Sequence, residues 1–154
     1  MSRKFSGTRV AIFLDMFDRP FTILLVDDEE RLLRALARQL RGYHVLVALD
    51  ARSAFAQLES TPVDLVLTDN DMLGMSGVEL LEAVKARFPR VVRGLMSALE
   101  PRELASLEAR RTVELFLEKP FVVPLAQQLE GMLHGGSALR PPRTTLPEVM
   151  DGSC

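Results

Sequence analysis

From Phe21 onward, short apolar runs alternate with longer amphipathic stretches, and no other feature of this chain narrows its fold so far. The runs lie near residues 21–26, 44–48, 63–68, 91–96 and 113–117. They are nearly continuous in hydrophobicity, whereas a strand with one wet face would alternate apolar and polar residues. Strands of this kind are buried on both sides, which requires a parallel sheet with helices above and below it. The intervening segments supply the helices. Leu32, Leu33, Leu36 and Leu40 recur at helical spacing, as do Phe55 and Leu58, then Val78, Leu81, Val84 and Phe88, and finally Leu125, Leu129 and Met132. Ser76-x-x-Glu79 reads as a capping box, Asp50 as an N-cap, and Pro101 and Pro124 as residues of first helical turns.

Charge enters where the runs stop. Asp27 and Asp28 follow the first, Asp69 follows the third, Ser97 follows the fourth, and Lys119 with Pro120 follows the fifth. In a parallel sheet these positions converge on one crevice at the carboxyl ends of the strands. Three carboxylates there can hold a hard divalent cation through oxygen. An acid pair, a single acid, a hydroxyl and a lysine together suit phosphoryl transfer onto a carboxylate. Taken singly, each residue has a plainer role: Asp27 or Asp28 as a helix cap, Ser97 in a turn, Lys119 as a solvated charge. Their conjunction favours the site.

The 154 residues suffice for one full core. A net charge of -2 gives no general attraction to nucleic acid or to a membrane surface. Arg3, Lys4 and Arg9 before Val10–Leu14 imitate a secretory leader, but the apolar stretch is too short and ends at Asp15. We read residues 1–20 as an N-terminal extension, with residues 1–15 a candidate mis-called start, 21–134 as the folded domain, and 135–154 as a flexible tail. The tail carries Arg140-Pro141-Pro142-Arg143 and the single Cys154, so no intramolecular disulfide forms and a reducing, cytoplasmic setting is expected.

Four segments resemble the receiver domains of bacterial two-component response regulators: ILLVDDE at 23–29, DLVLTDNDMLGMSG at 64–77, LMSA at 95–98 and FLEKPF at 116–121. The resemblance covers about Phe21 to His134. It implies a flavodoxin-like, doubly wound sheet of five strands in the order 2-1-3-4-5. It further implies that Asp69 is the phosphoacceptor. Mg2+ would be held by Asp27, Asp28, Asp69 and the main-chain carbonyl of Asp71. Ser97 and Lys119 would contact the phosphoryl group, and Lys119–Pro120 would be a cis peptide. Ser97 and Phe116 would act as switch residues, although Phe116 reads equally well as a fixed core aromatic. The implied partners are a sensor histidine kinase or phosphotransfer protein and a downstream protein target, with phosphorylation-dependent homodimerisation left open. As no second folded domain is evident, the expected function is that of a stand-alone regulator acting through partner binding rather than as an enzyme.

The chain departs from the family pattern in several places. Leu73 stands where proline is usual after the phosphorylated acid, and Asp71 adds a charge at the rim. The segment from Asp28 to Asp69 is slightly short, and Arg110-Arg111-Thr112 replaces a small turn before the fifth strand. Two alternatives therefore accompany the main reading. One is a pseudo-receiver that binds partners without phosphorylation. The other is a haloacid dehalogenase-like phosphatase, suggested by Asp69-Asn70-Asp71; such enzymes, however, place their acidic pair after the lysine, and here it lies before.

Overall fold

The computed structural model describes residues 20–98, 111–121 and 123–135. Five strands form one parallel sheet: β1 (Thr22–Val26), β2 (His44–Ala48), β3 (Leu65–Asp69), β4 (Val92–Ser97) and β5 (Leu115–Glu118), in the spatial order β2-β1-β3-β4-β5. Four helices are described: α1 (Glu30–Gln39), α2 (Ala51–Ser60), α3 (Gly77–Arg87) and α4 (Leu125–Gly135). This is the doubly wound, flavodoxin-like arrangement expected from the sequence.

Successive strand residues point to opposite faces, and both faces are dry. Ile23, Leu25, Leu65 and Leu67 face one side, where Leu33, Leu36 and Leu40 of the α1 region and Leu125 and Leu129 of α4 cover them. Leu24, Val26, Val66 and Leu95 face the other, beneath Ala54 and Leu58 of α2 and Leu80, Leu81 and Val84 of α3. The residues of β1 and β3 are buried throughout, which is why their sequences lack alternation. Strand β2, at one edge, is partly exposed.

Local chemistry sets the helix starts. Asp50 caps α2 by accepting from the Ser53 amide at 2.7 Å, and Ser76 and Glu79 form both bonds of a capping box on α3. Pro124 lies just before α4 rather than inside its first turn, and its carbonyl accepts from the Gln128 amide. A distant side chain supplies the missing cap: Gln39 Oε1 accepts from the Leu125 amide at 2.9 Å. Pro101, the N-terminal extension, the tail and Cys154 lie outside the described residues.

Apart from β2, the strand boundaries differ from the sequence reading by one or two residues, most plainly at the start of β3. Strand β3 starts at Leu65 because Asp64 pairs with Thr22 through both its amide and its carboxylate, the latter accepting from the Thr22 amide at 2.8 Å. Arg93, which interrupts the fourth run, is a β4 residue only 6% exposed. Its guanidinium donates to the carbonyls of Thr112 at 2.7 Å and Val91 at 3.3 Å, and Glu114 faces it at 3.5 Å. A buried charge is tolerated there because several oxygens receive it.

Candidate functional site

Strand register brings the acids together. Val26 of β1 pairs with Thr68 of β3, so the next residues, Asp27 and Asp69, end adjacent strands side by side. Asp27 is 2% exposed and Asp69 6%. On the other flank Ser97 pairs with Glu118, and the Lys119 amide donates to the Ser97 carbonyl at 2.8 Å. Ser97 is buried at the end of β4. The Lys119–Pro120 peptide is cis. Lys119 reaches back across the crevice, its Nζ lying 2.6 Å from Asp69 Oδ1 and 3.5 Å from Asp27 Oδ2.

The crevice is strongly polarised. Burial, the largest influence, raises the Asp27 carboxyl above its ordinary value, with the Asp69 and Asp28 charges adding to it. The Glu29 amide, donating to Asp27 Oδ1 at 2.9 Å, and the Lys119 ammonium oppose that rise. For Lys119, burial alone would lower the pKa, but its hydrogen bond and attraction to Asp69, with Asp27 contributing, leave it raised. Asp27 Oδ2 is buried without a hydrogen-bond partner. An unsatisfied carboxylate oxygen facing a second carboxylate is a position that a hard cation would satisfy.

The remaining predicted residues sit at the mouth. Asp28 is exposed, and its Oδ2 accepts from the Leu73 amide at 3.4 Å. Asp71 is exposed on the loop between β3 and α3, and Leu73 on the same loop is 90% exposed. Among the described residues no three His, Cys, Asp or Glu side chains already converge as a metal cluster. The converged pair is Asp27 and Asp69, while Asp28 is engaged with the loop. Phe116, half-buried on β5 opposite Leu95, packs against the core beneath α2 and α3.

Two residues that support the site were not singled out from the sequence. Asn70 anchors the loop: its amide donates to the Met96 carbonyl at 3.1 Å, its carbonyl accepts from the Gly77 amide at 3.0 Å, and its Oδ1 accepts from the Val78 amide at 3.3 Å. Gly77 permits that approach, because a Cβ there would lie 2.3 Å from the Asp69 carbonyl oxygen. The only signal in the sequence was an Asn directly after the acid and a Gly directly after the Ser76 cap.

This arrangement of buried acids, hydroxyl and lysine on a 2-1-3-4-5 sheet is that of a receiver domain. The chain belongs to the response regulator receiver domain family, whose model matches residues 23–129. It is 40% identical over 89 residues to the hydrogenase transcriptional regulatory protein HoxA of Cupriavidus necator, covering 57% of this chain and 18% of that one. Response regulator protein FleR of Pseudomonas aeruginosa is 36% identical over 101 residues, 64% of this chain and 21% of that one. Among solved structures, response regulator protein TrrA of Thermotoga maritima in complex with Mg2+ and BeF superposes with a TM-score of 0.64 at 25% identity, covering 73% of this chain and 99% of that chain. The signal receiver domain of an HD domain-containing protein from Pseudomonas fluorescens gives 0.66 at 30% identity, covering 76% and 94%. The chain thus spans about a fifth of the length of these two curated relatives and nearly all of these two solved receiver domains.

Proposed function

We propose that Asp69 accepts a phosphoryl group from a phosphohistidine on a sensor kinase or phosphotransfer protein, within a domain spanning residues 21–134. One observation carries the reading: a buried Asp69 bonded at 2.6 Å to Lys119, beside a buried Asp27 whose Oδ2 lacks a hydrogen bond. In the transfer the P–N bond to the donor imidazole breaks and a P–O bond to an Asp69 oxygen forms. Lys119 exchanges its pairing with the carboxylate for one with a phosphoryl oxygen, and the Ser97 hydroxyl donates to another. Mg2+ fits the oxygen-only donor set of Asp27, Asp28, Asp69 and the Asp71 carbonyl, and when bound it supplies charge neutralisation for the phosphoryl oxygens.

Output follows from rearrangement around Ser97 and Phe116, which changes the surface offered to a downstream protein. Phe116 is half-buried on β5 and packs at the edge of the core rather than within it. Among the described residues no helix is long and apolar enough to cross a membrane, in keeping with a cytoplasmic signalling role.

Intact-mass spectrometry after incubation with acetyl phosphate and Mg2+ tests the reading, with Asp69→Asn and an EDTA control alongside. One added phosphoryl mass, lost in both controls, is expected. A folded protein that takes up none would favour the phosphorylation-independent binding module, a reading to which the bond holding Asp28 to the Leu73 amide lends weight.

A further inference from the structure

The two acids that end β1 occupy different environments. Asp27 is buried, whereas Asp28 is exposed and accepts from the main-chain N–H of Leu73, 45 residues away, at 3.4 Å. Leu73 contributes little packing, since its side chain is 90% exposed. Its main chain is what touches the site. The Met75 amide donates to the Leu73 carbonyl at 3.2 Å, and Gly74 between them adopts φ +89, a left-handed conformation that glycine takes without strain. This tight turn presents the Leu73 N–H across the mouth of the crevice to the carboxylate.

We propose that the Leu73 amide is a latch on Asp28. It holds the carboxylate toward the loop between β3 and α3, and coordination of a divalent cation through Asp28 Oδ2 competes with that bond. The inference rests on the reading above that Asp28 is a cation ligand. A carboxylate oxygen that already accepts a hydrogen bond must give it up or share it on coordination, so the latch weakens cation binding. One exposed hydrogen bond to a carboxylate corresponds to roughly a two- to five-fold loss of affinity. The coupling is reciprocal: a partner that grips the exposed Leu73 side chain and draws the loop away would tighten cation binding by the same factor.

Isothermal titration of the full chain with MgCl2 tests this, comparing wild type, Leu73→Pro, which has no N–H, and Leu73→Ala, which keeps it. The expected result is affinity raised about two- to five-fold in Leu73→Pro and unchanged in Leu73→Ala. Amide hydrogen exchange at Leu73 in the wild-type protein supplies a second readout independent of loop damage by proline, and it should accelerate when Mg2+ saturates the site. Equal affinity in wild type and Leu73→Pro, with Leu73 exchange unmoved by Mg2+, would overturn the latch while leaving the cation site intact. Failure of every variant to bind Mg2+ would overturn the cation site together with the latch. Binding by Leu73→Pro alone would support the latch in its strongest form.

Discussion

Gly77 is where a single added methyl group should do most harm beside the site. A Cβ at this position would lie 2.3 Å from the Asp69 carbonyl oxygen and 2.9 Å from both the Asp69 carbonyl carbon and Asn70 Cα. Carbon–oxygen contacts ordinarily begin near about 3.3 Å, so relief requires a movement of about 1 Å. All three atoms are main chain, and no rotamer change can absorb the overlap. At Gly94, by contrast, the closest atom is Leu67 Cδ2, the end of a side chain that can swing. Overpacking of this kind costs about 1–3 kcal/mol, and strain on the bond from the Gly77 amide to the Asn70 carbonyl adds up to about 1 kcal/mol. Because Gly77 is the first residue of α3 after the Ser76 cap, the helix-interior advantage of alanine over glycine returns at most about 0.5 kcal/mol there. The net expectation for Gly77→Ala is a loss of about 1–3 kcal/mol in urea unfolding, with slower labelling by acetyl phosphate because the Asp69 main chain must shift. Gly131→Ala, in α4 with nothing within 4 Å of the added carbon, is the matched control and should gain up to about 1 kcal/mol. A Gly77→Ala protein within about 0.5 kcal/mol of wild type, or one stabilised like Gly131→Ala, would refute the reasoning.

Three further outcomes follow from the same geometry. Lys119→Met removes the partner 2.6 Å from Asp69, so acetyl phosphate labelling should slow by about 10²-fold, with Lys119→Arg failing to restore it because a planar fork cannot replace a point charge; wild-type labelling rates in either variant would contradict this. Gly74→Ala introduces strain without a clash, because φ is +89 and nothing lies within 4 Å, and should lower stability by about 1 kcal/mol, with Gly74→Asn milder; urea midpoints would decide. Burial, then Glu130, pushes the Tyr43 hydroxyl up to about 12 from 10.0, which favours the neutral form in the folded state. That contribution is whole below pH 10 and is lost as pH rises from 10 toward 12; because the hydroxyl is buried without a hydrogen-bond partner, Tyr43→Phe should be at least as stable as wild type at pH 7 and lose less between pH 10 and 12; identical alkaline losses in urea unfolding would sink the assignment.

The sheet was legible because its chemistry is one-dimensional. A strand buried on both faces has to be mostly apolar without alternation, and the runs Ile23–Val26 of β1 and Leu65–Leu67 of β3 are, so local composition alone marks them. The caps at Asp50 and Ser76 were legible for the same reason: donor and acceptor are three residues apart. What stayed hidden joins residues distant in sequence. Nothing near Gln39 announces that it caps α4, 86 residues on, and nothing near Asp64 announces that its carboxylate takes the Thr22 amide. The site divides along the same line. Asp27, Asp69 and Lys119 could be placed together because strand ends converge by topology, whereas the bond between Asp28 and the Leu73 amide depends on a loop conformation that the sequence reading took only as a departure at Leu73.

Along β1 and β3 the apolar core residues and the acids occupy different positions. The interiors of β1 and β3 hold the apolar residues that bind both helical layers, and each acid stands at the terminal step, where the chain leaves the ladder. Asp27 is nevertheless buried with an oxygen that lacks a hydrogen bond and with a raised pKa, so its charge is a local cost to the fold. Arg93 marks the contrast. It too is a buried charge in a strand, but its guanidinium donates to two carbonyls and faces Glu114, so it ties β4 to the segment leading into β5 and leaves nothing unpaired for chemistry. The two buried charges thus differ in satisfaction: Arg93 donates to two carbonyls, whereas Asp27 Oδ2 has the Lys119 ammonium at 3.5 Å but no hydrogen bond, which makes it a candidate position for a ligand.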